Sequence, residues 1–252
     1  MNSAILENRK LDIPYCEELD LSKVPKHIAF IMDGNRRWAK KKRLPIHFGH
    51  YRGAEVIDNI VSYAADLGVK VITVYAFSTE NWSRSLEEVN GLMQLFKTYL
   101  RRKKKSMLKQ GVKLTTIGSI GRFSISLQKE IKEVISATEE CEKIQLVLAL
   151  NYGSRDEITR AVKKIIEDVE NKKISKQEVT ENLISGYLDT ADVMDPELLI
   201  RTSGESRLSN FLLWQLSYTE VMTIPTLWPD FGKKDLLCAI LEYQKRKRRF
   251  GE

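Results

Sequence analysis

Cysteine is scarce and carries no pattern. The three present, Cys16, Cys141 and Cys238, lie far apart and form no CxxC pair. That excludes a cysteine zinc site, argues against a disulfide framework and fits a reducing compartment. Cys141 and Cys238 fall within helical patterns and are expected as core or near-core filler. Long apolar runs are also missing. No stretch approaches the ~20 residues of a membrane span, and residues 1–10 lack the apolar segment of a signal peptide. A cytoplasmic chain is expected, with any membrane contact peripheral. His27, His47 and His50 show no metal-ligand spacing. There is no GxxxxGK[ST], no GxGxxG and no GxSxG. The standard nucleotide-binding loops and the nucleophile elbow are therefore absent.

What is present is enough for one substantial core: 252 residues, 42% of them hydrophobic. Lys and Arg number 41 against 34 Asp and Glu, a net charge of +7. Such an excess suits phosphates, nucleic acid or an anionic membrane surface, without choosing among them.

Residues 28–32 (Ile-Ala-Phe-Ile-Met) are five apolar residues in a row, read as a strand buried on both faces. The strand stops at Asp33-Gly34-Asn35, a turn-favouring run, and Arg36, Arg37 and Trp38 follow at once. A carboxylate, a glycine turn and cations at a strand's end suit a Mg²⁺-bound phosphorylated ligand. A surface turn with a solvated Asp–Arg pair reads equally well from this stretch alone.

The remaining chain alternates strand and helix. Further strands are expected at 69–77, 112–117, 144–150, 197–200 and 218–223. Helices are expected from the 48–53 run to Gly68, over 85–111, 124–143, from Ser154, from Ser175, at 210–216 and over 233–249. Ser85/Glu88 and Ser154/Glu157 have the capping-box spacing. This predicts one α/β domain, a mostly parallel six-stranded sheet flanked by helices, spanning 25–252 after an arm at 1–24. Four polar loops, 33–38, 78–84, 151–155 and 201–209, then open on one edge. They gather Arg36, Arg37, Arg84, Arg155, Arg201 and Arg207 near Asp33 and Asn81. Such a cluster repels itself unless anions lie between its members. The plainer alternative is a solvated rim paired to Glu80, Asp156 and Glu205.

Five motifs in order now carry a resemblance. They are Met-Asp-Gly-Asn-x-Arg-Trp-Ala at 32–39, Phe-Gly-His at 48–50, Ser-Thr-Glu-Asn-Trp at 78–82, Arg-Thr-Ser-Gly-Glu-x-Arg-x-Ser-Asn at 201–210 and Trp-Pro-Asp-Phe at 228–231. From about residue 24 to 251 the chain resembles the cis-prenyltransferases, nearest the bacterial undecaprenyl diphosphate synthases. The resemblance implies repeated condensation of isopentenyl diphosphate onto farnesyl diphosphate, with Mg²⁺, by a homodimer. It implies an apolar tunnel between sheet and helices; the 89–100 helix and the 69–77 strand are candidate walls. Asp33 matches the aspartate that coordinates Mg²⁺ and assists diphosphate departure. Gly34, Asn35, Arg36, Arg37, Trp38 and His50 match the allylic diphosphate pocket. Asn81 matches the residue assigned to proton removal, with Ser78, Thr79, Glu80 and Trp82 around it. Arg84, Arg201, Arg207, Leu208 and Ser209 match the isopentenyl diphosphate site. Glu220 matches a second Mg²⁺-associated carboxylate, in the partner's site. The tail at 249–251 matches a segment reaching the neighbouring subunit.

Two positions depart. Ile46 stands where the family usually has arginine, leaving His47 as the candidate substitute. Arg36 stands where a small residue is usual. Two other classes remain: a non-catalytic partner subunit, against which Asp33, Asn81 and the 201–210 run argue, and a nucleic-acid binder. The latter rests on the basic runs at 101–105 and 245–249, which lack interleaved aromatics. No nucleic-acid partner is expected, and those runs are read as solvated or as membrane-surface contacts.

Overall fold

The computed structural model describes residues 19–246. Most of the arm and the 249–251 tail lie outside them. Six strands form one sheet: β1 (His27–Ile31), β2 (Val71–Ser78), β3 (Val112–Ile117), β4 (Ile144–Tyr152), β5 (Leu198–Thr202) and β6 (Glu220–Ile224). The order is β3-β4-β2-β1-β5-β6, and every pairing is parallel. The expected mostly parallel sheet is wholly parallel among the described residues.

Seven α-helices are described: α1 (Asn35–Lys41), α2 (Ile46–Leu67), α3 (Leu86–Gln110), α4 (Ile125–Ala137), α5 (Ser154–Glu170), α6 (Glu181–Tyr187) and α7 (Lys233–Lys245). The chain leaves β1 for β2 on one side and returns to place β5 on the other. The C-terminal end of β1, beside β5, is therefore the topological switch point, where parallel sheets bind ligands.

β1 shows why its residues are all apolar. Ile28 and Phe30 join the large core under α2, α3, α4 and α7, whereas Ala29 and Ile31 point to the opposite face. That second face is closed by Tyr152, Phe211, Leu212 and Leu216. The apolar run 210–216 is therefore core, but it is not the expected helix. Ser209, Asn210 and Leu212 all take positive φ, which an α-helix cannot accommodate.

Other boundaries shift for local reasons. The Asp33-Gly34-Asn35 turn passes directly into α1, a helix the turn-rich sequence concealed. α4 stops at Ala137 because Thr138 Oγ1 donates to the Val134 carbonyl and accepts from Leu114 N–H. Cys141 consequently lies outside the helix and is half-buried, whereas Cys238 is exposed and is not the expected core or near-core filler. Ser154 does not cap α5; Glu157 is buried against Tyr152 and Gln215 instead. Ser175 and Glu178 do form a capping box, but it opens a short 3₁₀ turn, and α6 begins after Thr180.

His27 is structural, as its lone position suggested. Its Nδ1–H donates to the Met194 carbonyl (2.5 Å), so Nε2 accepts from the Thr73 hydroxyl (2.7 Å). Burial, outweighing its backbone hydrogen bonds, lowers its pKa from 6.5 to about 4. The unfolded chain takes up the proton first. Stability present above pH 6.5 is thus lost as pH falls towards 4, by about 3 kcal/mol. Urea midpoints at pH 7.5 and 4.5 should show this loss in the native sequence and a smaller one in His27→Gln.

Candidate active site

Because the strands are parallel, all four polar loops do open on one edge. Asp33 follows β1 and is fixed from two sides. Its N–H donates to Thr202 Oγ1 (2.9 Å), which donates back to the Asp33 carbonyl (2.7 Å). Its carboxylate accepts from Arg201 Nη2 (2.9 Å) and faces Arg37 Nη2 (3.3 Å). Burial favours the neutral acid, but the Arg201 hydrogen bond and the charges of Arg201 and Arg37 together prevail. The carboxyl is held below its ordinary 3.8 and stays ionised.

Arg201 organises this corner. It is 4% exposed. Nη1 reaches the Arg207 carbonyl and Ser209 Oγ (2.8 Å), and Nη2 reaches Asp33. Its fork is committed to protein atoms, so it positions Asp33 and the 201–209 loop. Arg37 donates to the Ser203 carbonyl (3.3 Å) and pairs with Glu205 (3.1 Å), which also holds Arg207. Of the expected rim carboxylates only Glu205 pairs within the cluster. Glu80 instead accepts from Asn210 (3.0 Å), and Asp156 pairs with Arg160 (2.8 Å). Arg36 and Arg155 have no ion pair among the described residues.

Gly34 makes the close approach of the β1 and β5 loops. Its φ is +107°, and a Cβ would lie 2.2 Å from Ser203 Oγ. Gly34→Ala should cost about 2 kcal/mol or more from left-handed strain and clash, read as a lowered urea midpoint with reduced turnover.

The 78–84 loop docks through its own side chains. Asn81 Oδ1 accepts from Ser78 N–H (3.1 Å), and its amide NH₂ has no partner among the described residues. Trp82 Nε1–H donates to Asn151 Oδ1 (2.8 Å), and Tyr75 O–H reaches the Ser209 carbonyl (3.3 Å). Gly153 packs closely on Thr79 and Asn210. Arg84 and His50 both approach Glu88, at 2.9 and 3.4 Å. Burial first, then the charge of Arg84, lower the His50 pKa despite Glu88, so the ring is neutral near pH 7. Ser85 caps α3 as expected, accepting from Glu88 N–H, while the Glu88 carboxylate anchors this pair instead of reaching back to the cap.

Between α2 and α3 lies a cavity of about 520 Å³, whose lining includes Arg36, Ile46, His47, His50, Glu87 and Glu88. A separate hollow of about 60 Å³ shares His50, Leu92 and Leu95 with it and is otherwise lined by Met32, Ala54, Ala76, Tyr99 and Leu148 among others. The walls are α2 and α3 with β2 and β4 below. Of these, α3 and β2 match the expected walls, whereas neither α2 nor β4 was among them.

A family model described as putative undecaprenyl diphosphate synthase matches residues 31–251. The chain belongs to that family. It is accordingly a transferase of the prenyl-transferring class. An isoprenyl transferase of Heliobacterium mobile is 47% identical over 235 residues, 93% of this chain and 90% of that protein. The Micrococcus luteus ditrans,polycis-undecaprenyl-diphosphate synthase, farnesyl-diphosphate specific, is 48% identical over 233 residues, 92% and 94% of the two chains. Among solved structures, lavandulyl diphosphate synthase from Lavandula x intermedia, in complex with dimethylallyl diphosphate, superposes with a TM-score of 0.89. It is 37% identical, over 92% of this chain and all of that one. A probable undecaprenyl diphosphate synthase from Campylobacter jejuni gives 0.76 at 32% identity, over 90% and 99%.

Within this prenyltransferase fold, the residues matched to one diphosphate or the other mostly converge on the edge. Trp38 and Leu208 are drawn inward: Trp38 Nε1–H donates to Asp230 (2.7 Å), and Leu208 packs on the second core face. Glu220 lies apart. It opens β6 opposite Leu198, three residues before Arg201 in the register, and pairs with Arg246 (2.8 Å). Asp33 and Glu220 therefore sit towards opposite ends of one sheet. The described residues hold no cluster of three His, Cys, Asp or Glu suited to a metal.

Proposed function

We propose that the protein makes cis-polyprenyl diphosphates by adding isopentenyl diphosphate repeatedly to farnesyl diphosphate, giving undecaprenyl diphosphate, the precursor of the lipid carrier for cell-wall glycans. One observation carries this reading. A carboxylate held ionised by two arginines stands at the switch point, and the residue before it, Met32, lines a mostly apolar hollow between α2, α3, β2 and β4. The pairing of an anion site with an apolar hollow suits a diphosphate bearing a hydrocarbon tail, which the cavity between α2 and α3 would receive.

The residues fit Mg²⁺ of a particular kind. A single ionised carboxylate cannot cage a metal alone, but Mg²⁺ commonly binds one or two carboxylates together with substrate phosphates and water. Asp33 would hold it, and the ion would neutralise charge developing on the leaving diphosphate. Glu220 would serve only a site completed by a second copy of the chain, consistent with a homodimer. Arg36, Arg37 and the backbone after Gly34 would bind the allylic diphosphate. Arg84, Arg207 and Ser209 would bind isopentenyl diphosphate, with Arg201 placing the latter two. His50, neutral, would donate a hydrogen bond rather than a charge.

Asn81 is a poor base. With Oδ1 already accepting from Ser78, its NH₂ is placed to orient the departing diphosphate, whose oxygen then takes the proton. Asn81→Asp substitutes a negative acceptor for that donor and should lower turnover about 10²-fold. Turnover equal to the native enzyme would remove the amide's role.

The test is incorporation of radiolabelled isopentenyl diphosphate with farnesyl diphosphate and Mg²⁺, with products sized by chromatography. A polyprenyl ladder supports the reading. No product with any allylic primer, from folded protein, overturns it in favour of a non-catalytic partner subunit.

A further inference from the structure

We infer that the edge carrying the active site is also a docking surface for an anionic lipid bilayer, formed by the first turns of α2, α3 and α4 and the basic link before α2. α2 runs back towards the start of β2, and α3 and α4 leave the ends of β2 and β3. In a wholly parallel sheet all three helices therefore begin at the edge where the strands end. α2 contacts α3, and α3 contacts α4, so their first turns form one continuous rim.

That rim exposes aliphatic side chains where a helix would normally present polar ones. Leu86, the first residue of α3, is 76% exposed, and Ile125, the first of α4, is 85% exposed. Leu44, Ile46 and Phe48, at the start of α2, are also exposed. Single exposed apolar residues are ordinary, but five gathered on one rim point to an apolar partner.

Charge identifies the partner as an anionic one. Lys40, Lys41, Lys42 and Arg43 run directly into Leu44, all exposed and without an ion pair among the described residues. Arg122, in the turn before α4, lies 4.1 Å over the Trp82 ring. A groove between α3 and α4 joins Leu86 to Arg84, Lys97 and Arg122, with no carboxylate in its lining. Glu87 and Glu88, at the start of α3, line the cavity shared with Ile46 and His47, and Glu88 is paired to Arg84, so the positive face is carried by the 40–43 link and the α3–α4 groove. Apolar tips beside a run of cations, of which only Arg84 is ion-paired among the described residues, are the pattern of a peripheral lipid contact.

The run at 101–105 does not share this surface. It lies at least 15 residues along α3 from Leu86, roughly 22 Å away at the helical rise. Arg101 and Lys103 there are paired to Glu130 and Asp58. No described helix is long and apolar enough to cross a membrane, so contact at the rim would be superficial. The inference builds on the polyprenyl reading, since the cavity lined in part by Ile46 and His47 reaches this rim and a lipid product would leave into the bilayer it touches.

The test is co-sedimentation of the full chain with phosphatidylcholine vesicles, with and without phosphatidylglycerol, at low salt. The native chain should sediment with the anionic vesicles. Leu86→Ser/Ile125→Ser and Lys41→Glu/Lys42→Glu should each weaken partition about tenfold or more, while Arg102→Glu/Lys104→Glu should not. A native chain that stays in the supernatant overturns the inference. So does equal binding by the rim variants, or loss confined to the 102/104 variant. A rim variant that alters mass in solution but not vesicle binding would make the rim a contact between copies. Sedimentation is read without turnover, so failure of the polyprenyl reading in the incorporation assay is a separate result.

Discussion

Asp33→Ala should lower steady-state turnover by about 10²-fold or more while the chain remains folded. The allylic diphosphate departs only if the charge gathering on it is stabilised, and preorganised groups acting there contribute on this scale. In the proposed reaction Asp33 would act there, and it is fixed by backbone as well as side chain: Thr202 holds its N–H and carbonyl, and Arg201 and Arg37 hold its carboxylate. The ion pairs alone do not explain the residue. A half-exposed Asp–Arg37 pair contributes well under 1 kcal/mol to stability, so an effect confined to folding would be small. Asp33→Asn keeps the shape and loses the charge, and should fall nearly as far. Rates at saturating substrate, beside circular dichroism spectra of both variants, check this.

Arg201→Ala should be as damaging by a different route. The guanidinium is buried and spans Asp33, the Arg207 carbonyl and Ser209. Removing it releases the 201–209 loop and lets the Asp33 carboxyl return towards its ordinary pKa. Hydrogen bonds to charged groups contribute about 1.5–3 kcal/mol each, so a stability loss of about 2 kcal/mol is expected, with kcat/KM reduced 10²-fold or more. Arg201→Lys should not rescue, since one ammonium cannot reproduce a planar fork serving three acceptors. Arg36→Ala provides the contrast. Arg36 is exposed and has no ion pair among the described residues, so its loss should raise KM for the allylic substrate and leave stability unchanged.

Much of this was legible before any coordinates. Buried strands announced themselves by apolar runs, and their parallel arrangement followed from alternation with helices. The arginine cluster followed from that arrangement, because loops after parallel strands share an edge. What escaped the sequence was decided by tertiary partners. Asp33-Gly34-Asn35 reads as a turn, and nothing local reveals that α1 starts there, packed on α2 through Gly49 and Gly53, where a Cβ would meet Asn35 at 2.2 and 2.5 Å. Ser154 and Glu157 have capping spacing, but Glu157 is claimed by Tyr152 and Gln215. The 210–216 run has the apolar residues of a helix, yet they pack by left-handed turns over the sheet. The arginines themselves showed no difference in sequence. Only the fold separates buried, committed Arg201 from exposed Arg36.

The central claim is that Asp33 acts on the leaving diphosphate rather than on binding. Single-turnover kinetics with Mg²⁺, alongside the Kd for farnesyl diphosphate, separate the two in native enzyme and Asp33→Ala. The account predicts a chemical step slowed by about 10²-fold or more with Kd changed far less. A Kd weakened by the full factor, with the chemical step at its native rate, would contradict it.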